Sequence, residues 1–121
     1  MAAAAALVGR CDAVFTPTDN AIMNVASAVA ETLNDAGIPH YAGADSFVTA
    51  GAFATCGVNY TELGTYTAKM AIDILNGGEV PEFHVMDGGI ITVNTDTASA
   101  LGLDYSAFSS MANTVTEVTT G

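Results

Sequence analysis

Three short stretches hold most of the side chains that could meet a small molecule. Residues 16–20 read Thr-Pro-Thr-Asp-Asn and offer the hydroxyl of Thr18, the carboxylate of Asp19 and the amide of Asn20 beside an expected helix start. Unpaired backbone amides at such a start can also receive an anion. The same groups could equally cap the helix and do nothing more. Asp45 and Ser46 make a second polar turn. A carboxylate there complements a ligand ammonium group, or it stabilises its own turn through backbone bonds. Asn59, Tyr60 and Glu62 mark a third. Tyr60 could present a ring face and a hydroxyl to an apolar or aromatic ligand, whereas Glu62 is favoured at a helix start by the dipole alone.

Catalytic chemistry has little local support. His40 and His84 stand alone in strand-like runs and read as packed or surface histidines. Ser46 lacks a Gly-x-Ser-x-Gly setting, and Gly37, Gly43, Gly51 and Gly57 are dispersed rather than gathered into a phosphate or dinucleotide loop. The acidic residues show no spacing that singles out a magnesium site or an acid–base pair. Cys11 and Cys56 have no partner at zinc-ligand spacing and read as two buried free thiols, with a disulfide between them left open. No catalytic residue, cofactor or metal site is therefore expected, and the chain does not read as an enzyme.

The 121 residues suffice for one domain with a real core. Thirteen acidic side chains face only Arg10 and Lys69, for a formal net charge of -11. That field repels nucleic acids and anionic membranes, so no nucleic-acid partner is expected.

The elements that would position the three turns can be read in order. Residues 1–8 are alanine-rich, without a basic leader and too short to span a membrane. They read as the last turns of a helix, so the chain is expected to begin inside an element. Ala13, Val14 and Phe15 form a buried strand stopped by Thr16 and Pro17. A helix capped by Thr18 or Asp19 follows, with Ile22, Val25, Ala26, Val29 and Leu33 on one face. Residues 38–42 make the next strand, and a third is expected within 47–56. A second helix, with Thr61 near its cap, carries Leu63, Thr67, Met70 and Ile74 and ends at Gly77 and Gly78. Residues 83–86 and 90–93 read as a hairpin, or two strands joined across a bend, at Asp87, Gly88 and Gly89. Asn94 caps a short helix ending near Gly102, and residues 109–121 read as a docked, weakly specified tail.

Alternating strands and helices predict an α/β fold of three layers, helix, sheet and helix, around a mostly parallel sheet. Open sheets of this class gather ligand groups in loops beyond the carboxyl ends of their strands. Topology therefore brings the three polar turns to one edge.

Whole segments add a resemblance. Residues 8–20 (VGRCDAVFTPTDN), 50–64 (AGAFATCGVNYTELG), 69–77 (KMAIDILNG) and 91–103 (ITVNTDTASALGL) resemble, in order and spacing, the ABC-transporter substrate-binding proteins that include tryptophan- and other aromatic amino-acid-binding members. The similarity covers about residues 2–108 and matches only the carboxyl-terminal lobe. It implies one lobe of a type I periplasmic-binding fold, so that residues 1–121 form a single lobe facing a missing amino-terminal lobe across a solute cleft. By this resemblance Thr18, Asp19, Asn20, Asp45, Ser46, Asn59 and Tyr60 would contact a small-molecule ligand, an aromatic or branched amino acid. The full-length protein would be extracytoplasmic and pass its solute to a membrane permease, although this chain carries no signal segment. An effector-binding domain of a sensor or transcriptional regulator shares the fold and stands as the alternative. An isolated lobe could also self-associate.

Overall fold

In the computed structural model, which describes residues 2–86 and 89–121, a five-stranded sheet carries helices on both faces. The strands are β1 (Val14–Thr16), β2 (His40–Ala42), β3 (Ala54–Gly57), β4 (Ile90–Asn94) and β5 (Thr114–Val118), side by side in chain order. β1, β2 and β3 run parallel; β4 is antiparallel to β3, and β5 is parallel to β4.

The helices are α1 (Ala2–Leu7), α2 (Asn20–Met23), α3 (Ala26–Asp35), α4 (Asp45–Thr49), α5 (Tyr60–Leu75) and α6 (Thr95–Leu101), with a 3-10 helix over Ser106–Ser110. On one face, Val29 and Leu33 of α3 pack with Ala4 of α1, Ile38 and Val14. On the same face, Phe47 of α4 packs with Ala26 and Ala42. On the other, Ala54 and Val93 meet Ala98 of α6, with Leu103, Phe108 and Val115 against them. The alternation of strand side chains sends Ala42 and Ala54, on neighbouring strands, to opposite layers. This is the expected three-layer α/β architecture, as in one lobe of a periplasmic-binding fold. The second layer is incomplete. Phe15, Tyr41 and Cys56 leave an apolar groove of about 340 Å³ beside Phe108 and Ile91.

Several elements differ from their sequence reading. The helix expected across residues 22–33 is two, α2 and α3, because Val25 leaves helical geometry at φ -124° and its amide bonds back three residues to Ile22. Phe47 and Val48, expected near a third strand, lie in α4, and that strand starts only at Ala54. Residues 83–86 form no strand, and the expected bend at Asp87 and Gly88 lies outside the described residues. β5 pairs along its full length with β4 in a segment where the sequence reading placed no strand. Neither cysteine is buried as expected: Cys11 is half-buried and Cys56 exposed, both as free thiols.

One segment stands apart. β3 ends at Gly57, which pairs with Ile90 at the start of β4. The chain between them carries α5, a helix of 16 residues with none buried. The Cβ that an alanine would place at Gly64 meets nothing within 4 Å among the described residues.

Candidate functional site

The three parallel strands end on one side of the sheet, and their following loops are tied to one another. Gly43 donates its amide to the carbonyl of Thr16 at 2.9 Å, and the Thr18 hydroxyl donates back to the Gly43 carbonyl at 3.0 Å. A Cβ on Gly43 would lie 2.7 Å from the Thr18 hydroxyl and 2.9 Å from its amide nitrogen. Glycine is thus required for the first two loops to touch.

Asp45 joins the second loop to the far side of the sheet. Its Oδ1 accepts from the Thr92 hydroxyl at 3.1 Å and lies 3.7 Å from where a Gly57 Cβ would be. Among the described residues its second oxygen has no side-chain or backbone donor, and the residue is exposed. The result is a carboxylate oriented by a hydroxyl donor and open to solvent on its other oxygen, an arrangement suited to receiving an ammonium group.

Asp19 and Asn59 have local work. Asp19 Oδ1 accepts from the amides of Ala21 and Ile22 at 2.8 and 3.0 Å and caps α2. Asn59 Oδ1 accepts from Thr61 and Glu62 at 3.0 and 3.2 Å and caps α5. The cap of α5 is therefore Asn59, with Thr61 two residues beyond it, near the cap as expected. Among the described residues, Asp19 Oδ2 and the Asn59 amide nitrogen have no partner and are left open for a further one. Asn20 and Ser46 are exposed at the starts of α2 and α4, and Tyr60 opens α5 with 74% of its surface exposed. The structure thus gathers Thr18, Asp19, Asn20, Asp45 and Ser46 around two bonded loops, with Asn59 and Tyr60 just beyond Gly57 on the third.

Thr92 was not singled out by sequence. Its role depends on antiparallel pairing between β3 and β4, with Thr55 opposite Thr92, and no local motif signals that contact.

Beneath the loops lies a buried polar layer. His40 is fully buried, and its Nε2 lies 2.9 Å from the Thr16 hydroxyl. Nδ1 has no partner. Burial lowers the pKa of His40 from its ordinary value, because the charged imidazolium would be stripped of water. The folded protein therefore holds His40 neutral, whereas the unfolded chain takes up the proton below about pH 6.5. This contribution to stability is intact above that value and is lost as pH falls toward the folded pKa. Thermal unfolding at pH 7.5 and pH 5 should show a lower midpoint in acid, and His40→Gln should reduce that pH dependence. An unchanged dependence would exclude His40 as its source. His84, by contrast, stacks on Tyr66 at 4.1 Å between ring centroids.

Among the described residues, no group of three His, Cys, Asp or Glu side chains could hold a metal ion, and no helix is long and apolar enough to cross a membrane.

Residues 1–116 match the family described as ABC transporter substrate binding protein. The tyrosine-binding protein of Clostridioides difficile strain R20291 is 36% identical over 103 residues, covering 84% of this chain and 30% of the relative. The ligand-free, open structure of a substrate-binding protein with adhesive properties from Clostridium difficile superposes with a TM-score of 0.78 at 33% identity. That match covers 99% of this chain and 40% of the other. An ABC domain from Streptococcus pneumonia, solved in complex with L-Trp, shares the fold at a TM-score of 0.69 and 24% identity, over 94% of this chain and 40% of its own. The chain thus spans under half the length of each of these relatives.

Proposed function

The chain belongs to the ABC transporter substrate-binding protein family, whose fold and role are non-catalytic, and from that premise we propose that it supplies one wall of a cleft binding an amino acid. The carrying observation is the exposed Asp45 carboxylate, held by Thr92 and open on one oxygen, at the edge where three strand-end loops meet. An α-ammonium group is its natural complement. The hydroxyl and amide groups of Thr18, Asn20, Ser46 and Asn59, with Asp19, would replace the hydration of the ligand's polar atoms. Tyr60 would offer its ring to an aromatic or branched side chain. The relative named for tyrosine binding supports an aromatic amino acid.

In a two-lobed protein the opposite wall would supply the remaining contacts, and closure around the solute would shift a hinge equilibrium. Residues 1–121 would then serve as a single lobe of an extracytoplasmic receptor that delivers its ligand to a membrane permease. This reading involves reversible binding with no bond made or broken.

One lobe alone should bind weakly, because half the desolvating contacts are absent. Titration of the isolated chain with L-tyrosine, L-tryptophan, L-phenylalanine and L-leucine, followed by amide NMR, should move resonances at residues 18–20, 45–46 and 59–60 only at high ligand concentration. Shifts confined to other residues would reject this site, and tight one-to-one binding would reject the half-site account. Asp45→Asn should weaken the response about tenfold, as expected for losing a charge-assisted hydrogen bond. A ligand analogue lacking the ammonium group should not discriminate between the two proteins.

A further inference from the structure

We infer that this wall reads its solute as a primary amine alone, and that its ligand class extends to arylalkylamines that carry no carboxylate. The inference rests on the solute-binding reading above and names the end of the ligand that this chain selects. Three observations carry it.

The first is that each helix start on the edge already holds a carboxylate of the chain itself. Asp19 caps α2, Asp45 stands in the first turn of α4, and Glu62 in the first turn of α5. A helix start receives an anion through unpaired amides and the positive end of its dipole. Here those amides are taken or guarded. Ala21 and Ile22 donate to Asp19, and Thr61 and Glu62 donate to Asn59. α4 has no side-chain cap, but its first residue is Asp45, whose charge repels an arriving anion.

The second is where the cations lie. Arg10 and Lys69 are the chain's only lysine or arginine side chains. Arg10 precedes β1, whereas the loops follow the carboxyl ends of the strands. Lys69 lies in the middle of α5, about 14 Å along the axis from Tyr60. A ligand carboxylate would therefore meet only the neutral donors of Asn20, Ser46 and Asn59, beside three charges of its own sign.

The third is what the carboxylates leave open. Among the described residues, the second oxygens of Asp19 and Asp45 have no donor. The loops that carry them are bonded to each other through Thr18 and Gly43. Open carboxylate oxygens accept ammonium N–H groups, and an alkylamine is charged at neutral pH. No three such groups among the described residues could hold a metal ion, so the cation that suits them is an organic one. Tyr60, 74% exposed, offers its ring to the aryl group. The α-carboxylate of an amino acid would be left to the opposite wall, and on this wall it weakens binding.

Four phenyl compounds test this, titrated into the isolated chain at low salt and followed by amide NMR. L-phenylalanine carries both charges, and phenethylamine lacks the carboxylate. L-phenylalaninol exchanges the carboxylate for a hydroxymethyl group, and hydrocinnamate lacks the ammonium group. Both amines should shift resonances of residues 18–20 and 45–46 at concentrations roughly three- to tenfold below those L-phenylalanine requires, and high salt should erase most of that advantage. Asp45→Asn should reduce it to about twofold or less. Hydrocinnamate should leave these resonances in place.

L-phenylalanine binding at these residues as tightly as the two amines would overturn the inference and leave the amino-acid reading intact. An advantage that survives both high salt and Asp45→Asn, or that phenethylamine shows without phenylalaninol, would assign it to ligand size instead of charge and likewise overturn it. No shift at these residues with any of the four would overturn both readings together.

Discussion

Phe53→Ala should destabilise the protein by about 3–5 kcal/mol, the usual cost of emptying a buried aromatic site. Phe53 is 2% exposed and sits where three parts of the fold meet. Its ring packs edge-on against Tyr41 at 5.5 Å and tilted against Phe108 at 5.9 Å. Its amide donates to the His40 carbonyl at 2.7 Å, and its carbonyl accepts from the Asn94 amide at 2.9 Å. The backbone thus bridges β2 and β4, while the side chain anchors the 3-10 helix that leads into β5. A domain of this size has about 5–15 kcal/mol in total, so the substitution should remove a large share of it. Urea unfolding followed by circular dichroism would show a lower midpoint with a similar slope. Because Phe108 would lose one of its two aromatic neighbours, keeping only Tyr105, amides of β5 should lose protection before those of β1. A loss below about 1 kcal/mol would mean that the site collapses around the cavity or is not packed as described.

The strand-end loops were legible because their signals are local. An apolar run stopped by Thr16 and Pro17 marks the end of β1, and the acid at position 19 is a helix cap that the structure uses as read. Gly77 and Gly102 close α5 and α6 with positive φ, as glycines after apolar periodicity suggest. Placing the loops at one edge required only the rule for parallel strands. The elements missed are those whose identity comes from elsewhere in the chain. Phe47 and Val48 favour strands by propensity, yet both are buried in a five-residue helix fixed by packing against Ala26 and Ala42. β5 reads Thr-Val-Thr-Glu-Val, with too little apolar character to announce itself, and is set by its partner β4. The bond from Thr92 to Asp45 spans 47 residues and follows from strand pairing alone.

The apolar periodicity of α5 was read correctly as a helix and incompletely as a packing instruction. Such a pattern says that a face will be covered, not which part of a protein covers it. The -11 charge has a similar ambiguity. It disfavours anionic partners, but it leaves the ligand's class to the geometry around Asp45.

Asn94→Ala should cost about 2–4 kcal/mol, because one fully buried amide serves three elements. Its Oδ1 accepts from the Thr97 amide at 3.0 Å and caps α6. Its Nδ2 donates to the Val48 carbonyl at 2.8 Å at the end of α4, and to the Thr120 hydroxyl at 3.0 Å just past β5. Losing the cap accounts for about 1 kcal/mol. The rest comes from leaving the buried Val48 carbonyl without that side-chain donor. Asn94→Asp separates these contributions. An aspartate preserves the cap and has nearly the same shape, but it replaces the Nδ2 donor with an acceptor that faces the Val48 carbonyl. If the donor to α4 dominates, Asp should be at least as damaging as Ala; if the cap dominates, Asp should retain most of the stability. The bonds at Asn94 favour the first outcome, since its cap lies at a seven-residue helix while its donor ties α4, which starts at Asp45, to β4. Loosening that tie should also disturb the sheet edge that carries Asp45. The Asp45 and Thr92 amide resonances should shift in Asn94→Asp even before unfolding, and their staying in place would show that α4 holds Asp45 without help from Asn94.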